Sequence, residues 1–138
     1  MDIRLKRAYE APSKDDGARL LVERLWPRGL TKEKAAIDEW FRDIAPSPTL
    51  RRWYAHDPEK WEEFRRRYLE ELRGNKAEVE RLRARLEKGT ATFVYAAKDE
   101  ARNSAVVLKD YLERKGSGSR RPTRETRSGS RRRSPARP

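Results

Sequence analysis

Apolar and polar positions alternate from the start of the chain. Ile3 and Leu5 are separated by Arg4 and Lys6, with Arg7 next on the same face, and this period of two predicts a short strand with one buried side. Residues 10–17, EAPSKDDG, are a polar loop with a turn at Asp16-Gly17. Arg19-Leu20-Leu21-Val22 predicts a second strand. It must end before Trp26-Pro27, because proline disfavours helical geometry in the residue before it and cannot donate to a ladder.

Beyond the WPRG turn closed by Gly29, the period changes. Thr31 is placed to cap a helix with Ala36, Ile37, Trp40, Phe41 and Ile44 on one face, ended by Pro46 and Pro48. Ser47-Pro48 and Asp57-Pro58 each signal a helix start, since proline fits the first turn. Leu50, Trp53 and Tyr54 belong to the first of these helices, and Trp61, Phe64, Tyr68 and Leu72 stripe the second. Gly74-Asn75 breaks it, and Val79, Leu82 and Leu86 stripe the next helix up to Gly89. TATFVY, residues 90–95, is the clearest strand: β-branched and aromatic residues directly after a helix stop. Asn103 or Ser104 caps a last helix carrying Val106, Val107, Leu108, Tyr111 and Leu112.

The order of elements predicts a compact α/β domain with a small, mainly parallel sheet flanked by helices. Three evident strands are few for such a sheet, so a further one is expected elsewhere, and an α+β arrangement is the rival. The chain of 138 residues suffices for one domain with a real core. Its net charge of +12 is unevenly spread. Residues 116–138 hold eight arginines against one glutamate and nothing apolar larger than alanine or proline, so this tail is expected to be disordered. The organisation predicted is therefore a domain over residues 1–115 and a basic tail over 116–138.

Composition also excludes chemistry. With no cysteine there are no disulfides and no thiolate nucleophile. One histidine and no cysteine make a zinc site improbable on ligand supply, and neither metal nor cofactor is expected. MDIRLKRAYE lacks the apolar core of a secretion signal, and no apolar stretch approaches the roughly 20 residues of a membrane helix. A soluble cytoplasmic protein without membrane contact is expected.

Sites in open parallel sheets gather beyond the carboxyl ends of the strands. Two loops leave strands in that way: Glu23, Arg24, Trp26, Arg28 and Gly29 after the second strand, and Lys98 and Asp99 after TATFVY. Their arginines and lysine together would make a cradle for a small phosphate- or carboxylate-bearing ligand, with Asn103 positioning it. Asp99, Glu23 and His56 are the acid or base candidates. A purely structural reading competes: Trp26 plugs the core, Arg24 braces the loop against Glu23 or Asp99, and His56 starts a helix. In the tail, Arg120, Arg121, Arg131, Arg132 and Arg133 have almost no acids to pair with. They suit weak, salt-sensitive binding of nucleic acid, the alternative role expected of an accessory protein. The oligomeric state is not legible.

Three stretches carry a family resemblance: LLVERLWPRGL, IDEWFRDIAPSPTLRRWYAHDPEKWEEFRRRYLEEL and TFVYAAKDEARNSAVVLKDYL. They resemble the DUF488 family, in its short YeaO-like members, over roughly residues 2–113. The resemblance implies a compact α/β domain and favours the layered arrangement over α+β. It implies a pattern through Arg24, Trp26, Pro27, Arg28 and Gly29, then His56-Asp57-Pro58, then Ala97-Lys98-Asp99 and Asn103, and every one of these positions matches. Cysteines found in some members of the broader family are missing here, so thiol chemistry does not carry over. The resemblance assigns no reaction.

Overall fold

A computed structural model describes residues 2–118. Strands β1 (Ile3–Arg7), β2 (Ala18–Leu21), β3 (Glu39–Trp40) and β4 (Ala91–Tyr95) form one sheet in the order β1-β4-β2-β3. All neighbouring pairs are parallel, with Leu5 and Leu20 flanking Phe93 and Leu21 opposite Trp40. Helices α1 (Lys32–Ala35), α2 (Pro48–Tyr54), α3 (Trp61–Arg73), α4 (Lys76–Leu86) and α5 (Ser104–Gly118) complete the α/β domain.

The central strand β4 is buried at all five positions, as a parallel strand covered on both faces should be. Its odd and even residues serve two different cores. Phe93 and Tyr95 join Ile3 and Leu20 beneath α2–α5, where Phe64, Tyr68, Leu82, Leu86, Leu108 and Leu112 are buried. Each such side chain stabilises the fold by roughly 1.5–3 kcal/mol relative to its exposed form. Val94 joins Leu21 and Ala8 on the other face, under Trp26, Leu30, Ile37 and Trp40. The stripes read from the sequence for α3 and α4 are the buried ones: Phe64, Tyr68 and Leu72, then Val79, Leu82 and Leu86.

One element differs from the sequence reading and supplies the missing strand. Thr31 does cap a helix, its Oγ1 accepting the Lys34 amide at 3.1 Å, but α1 is a single turn. Ala36 takes a left-handed conformation at φ 50° and stops it. The apolar residues behind it then divide. Trp40 lies in β3 and packs on the loop-covered face, whereas Phe41 and Ile44 turn into the helix-covered core. A strand of two residues is too short for a period to show.

The loop-covered face also holds a buried charge pair. Arg19 reaches the Asp16 carboxylate at 2.7 Å and gives two further hydrogen bonds to the Ala35 carbonyl. Burial pushes the Asp16 carboxyl up, but the Ser13 amide, Lys6 and Arg19 outweigh it and hold its pKa below the ordinary value. Gly17, at φ +65°, follows directly. A Cβ there would stand 2.2 Å from the Thr90 carbonyl oxygen, so only glycine lets β2 begin beside β4.

Among the described residues no helix is long and apolar enough to cross a membrane. Helix α5 runs to Gly118, beyond the position where the tail was expected to open. Arg120, Arg121, Arg131, Arg132 and Arg133 lie outside the described residues.

Candidate functional site

A cavity of about 210 Å³ opens beyond the carboxyl ends of the neighbouring strands β2 and β4. Glu23 lies two residues past the end of β2 and is fixed at two points. Its main-chain carbonyl accepts the Trp40 indole N–H at 2.6 Å, and its carboxylate Oε2 accepts the Ala96 amide at 3.1 Å. Ala96 and Ala97 line the β4 side, and the Ala97 carbonyl accepts Arg7 Nε at 2.9 Å from the end of β1. The ends of β1, β4 and β2 are thus tied together at one rim.

Helix α2 provides the opposite wall. Ser47 is its N-cap, with Oγ accepting the Leu50 amide. That hydroxyl in turn donates to Glu71 of α3 at 2.6 Å, while the Ser47 amide donates to the other carboxylate oxygen. Arg51 and Tyr54, three residues apart on this helix, both line the cavity. Behind them Ala55 and His56 occupy left-handed backbone conformations in succession, at φ 46° and 58°. Such backbone costs on the order of 1–2 kcal/mol per residue. The reversal it produces brings His56 to the cavity before α3 starts. Tyr54 stacks on Phe64 with centroids 4.3 Å apart, and Pro46 adds a further apolar surface.

The third wall is the start of α5. Asn103 Oδ1 caps it by accepting the Val106 amide at 3.0 Å, and Asn103 Nδ2 donates to the Asp99 carbonyl. Arg102, Asn103 and Ser104 line the cavity. Asp99 faces its own loop: Oδ1 accepts the Ala101 and Arg102 amides, and Oδ2 pairs with the Arg102 guanidinium at 3.4 Å. The Arg102 and Ala101 amides hold its carboxyl below the ordinary value. A carboxylate engaged in this way is poorly placed to take a proton.

Burial is the main influence on Glu23 and pushes its carboxyl up, against the Ala96 amide and the attraction of Arg51 and His56. Burial, followed by the nearby Asp99 charge, also pushes the Tyr54 phenol up, so it stays neutral at physiological pH. The Arg51 guanidinium makes no hydrogen bond or salt bridge among the described residues, its backbone alone being engaged, with Ser47 and Ala55. The cavity therefore brings together an acid held by one donor, an unpaired guanidinium, an imidazole and an apolar wall. No group of three or more metal-ligating side chains occurs among the described residues.

Of the residues singled out in the sequence, Glu23, His56 and Asn103 line this cavity. Arg24, Trp26, Arg28, Gly29, Lys98 and Asp99 do not. Arg24 reaches sideways to the Pro46 and Ala45 carbonyls at 3.3 and 2.9 Å and pairs with Asp43 at 3.4 Å. It braces the loop that ends in Pro46, and its acidic partner is Asp43 in place of Glu23 or Asp99. Trp26 is a packing residue on the loop-covered face, edge-on to Trp40 at 5.6 Å, with its indole N–H donating to the Leu30 carbonyl. Arg28 is exposed, and its carbonyl accepts the Tyr9 hydroxyl. Gly29 adopts φ +83° in the turn, and Lys98 is exposed. The cations of the cavity are Arg51 and Arg102, which the sequence reading passed over. Arg51 lies among the many arginines of α2 and α3, and only its spacing from Tyr54 marks it.

The sequence profile of the family described as "Inactive DUF488-N3 subclade", DUF488-N3i, matches residues 2–131. An Escherichia coli protein named as the uncharacterised protein YeaO is 41% identical over 112 residues, covering 81% of this chain and 97% of its own. Uncharacterised proteins of Mycobacterium bovis and Mycobacterium tuberculosis, Mb3100c and Rv3073c, are each 43% identical over 110 residues, covering 80% of this chain and 92% of their own. No solved structure matches. The chain belongs to the DUF488-N3i family.

Proposed function

We propose that this member of the DUF488-N3i family is a binding domain for a small molecule carrying a phosphate or carboxylate group, held in the cavity beyond β2 and β4. The observation that carries the reading is Arg51: a guanidinium without a hydrogen-bonded partner among the described residues, facing a small cavity. A guanidinium offers a planar fork that suits both anions. On the α5 side the Ser104 hydroxyl adds a donor. The cavity volume of about 210 Å³ lies below the roughly 300–1,000 Å³ of sites for drug-sized ligands, which favours a compact occupant. The family's description as inactive favours binding without turnover, with Glu23 and His56 contacting the ligand.

Isothermal titration of the full chain with inorganic phosphate, with 3-phenylpropionate and with a carboxylate-bearing amino acid such as phenylalanine tests the reading. At least one of the three binds, and Arg51→Ala weakens it at least tenfold, about 1.4 kcal/mol. Equal affinity in the variant, or no binding of any of the three, contradicts it.

A further inference from the structure

The cavity carries two opposite charges, Glu23 and Arg51, that no salt bridge or side-chain hydrogen bond joins among the described residues. Arg102 is paired with Asp99, which removes one cation from the account. What remains is Arg51 against Glu23, close enough to attract each other but not hydrogen-bonded. Ala96 occupies Glu23 Oε2, Oε1 accepts no hydrogen bond among the described residues, and Glu23 lines the cavity. An occupant that is only an anion would sit beside a carboxylate in a half-enclosed space, where like charges repel more than in bulk water. An occupant that is only a cation would leave Arg51 unmet. One molecule carrying an ammonium and a carboxylate a short distance apart answers both.

We propose that the ligand is a small zwitterion of the amino-acid type, with its ammonium on Glu23, its carboxylate on Arg51 and an apolar side chain against the Tyr54–Phe64 stack. This rests on the anion-binding reading above and narrows it. The volume is suited to one amino acid, and the side of the cavity formed by Pro46, Tyr54 and Phe64 offers an apolar or aromatic arm a surface without polar demands. Specificity arises from the pairing. A carboxylic acid without the amine meets Glu23 with nothing to offer it, and an amine without the acid leaves the guanidinium desolvated.

The experiment compares three molecules that share a ring and chain: phenylalanine, 3-phenylpropionate and 2-phenylethylamine, with inorganic phosphate as the plain anion. Each is titrated calorimetrically into the full chain and into Glu23→Gln, whose folding is checked by its thermal melt. Phenylalanine binds at least tenfold tighter than the acid or the amine. In Glu23→Gln its advantage over 3-phenylpropionate disappears, and the acid itself binds more tightly than to the wild type because the opposing charge has gone. If 3-phenylpropionate matches phenylalanine in the wild type, or phosphate binds and phenylalanine does not, the zwitterion is overturned while the anion site stands. If none of the four binds, both fall.

Discussion

Glu23 illustrates how one residue can be held in place and yet be costly. Its backbone is tied to the Trp40 indole and its carboxylate to the Ala96 amide, so the acid is fixed where burial raises its pKa above the ordinary 4.5. A raised carboxyl keeps its proton longer in the folded chain than in the unfolded one. Stability therefore falls as pH rises from the unfolded pKa through the folded one, and the loss is complete above that window. Glu23→Gln retains an acceptor for the Ala96 amide and removes the ionisation. Urea denaturation from about pH 4 to pH 8 should show stability falling with pH across this window more steeply in the wild type than in the variant. Parallel profiles would contradict the assignment. Asp16 works in the opposite direction: its lowered pKa supplies stability that is present above 3.8 and lost as pH falls through the folded value. Glu23 was legible in the sequence because it stands at the mouth of an apolar strand. Arg51 was not, because nothing local separates it from Arg52 beside it, and only the folded register turns the one toward the cavity and leaves the other exposed.

At the scale of elements, the site depends on a loop that has little structure of its own. Residues 42–47 form one 3-10 turn and then run to the N-cap of α2. They are fastened from several sides. Arg24 holds the Ala45 and Pro46 carbonyls, the Tyr68 hydroxyl donates to the Ile44 carbonyl at 2.7 Å, and Glu71 holds Ser47. Arg24→Ala should cost about 1.5–3 kcal/mol, the range for hydrogen bonds to a charged group. It should also loosen the Pro46 wall, read as faster amide hydrogen exchange at Phe41 and Ala45 than at Phe93. An unchanged melting midpoint would remove the bracing role. The helices were read well from the sequence where a start or stop signal and a stripe agreed, as in α2, α3 and α4, although of these only α2 has a side-chain cap. The reading failed after Thr31, where Ala36, Ile37, Trp40, Phe41 and Ile44 fit a helical face by spacing but serve two opposite cores in the fold. Ala36 takes the left-handed turn without being a glycine, so no breaker residue announced the stop.

For the whole molecule, the parallel sheet and its helical layer follow from the alternation of strand and helix patterns. The order β1-β4-β2-β3 does not, because strand pairing is decided by contacts distant in sequence. That order sets the ends of β2 and β4 side by side, and with them Glu23 and Ala96. The same order explains why the expected cradle of Arg24, Arg28 and Lys98 does not line the cavity: the loop after β2 turns toward residues 43–46 and toward Tyr9. The central claim is that this rim, with Arg51 at one side and Glu23 at the other, is where a small anionic or zwitterionic molecule binds. The most direct measurement is the two-dimensional amide NMR spectrum of the full chain titrated with phenylalanine and with phosphate. The account predicts saturable shifts confined to the amides of Glu23, Arg51–His56, Ala96–Ala97 and Arg102–Ser104. Shifts centred instead on Arg28 and Lys98, or no saturable shift at any of these amides, would contradict it.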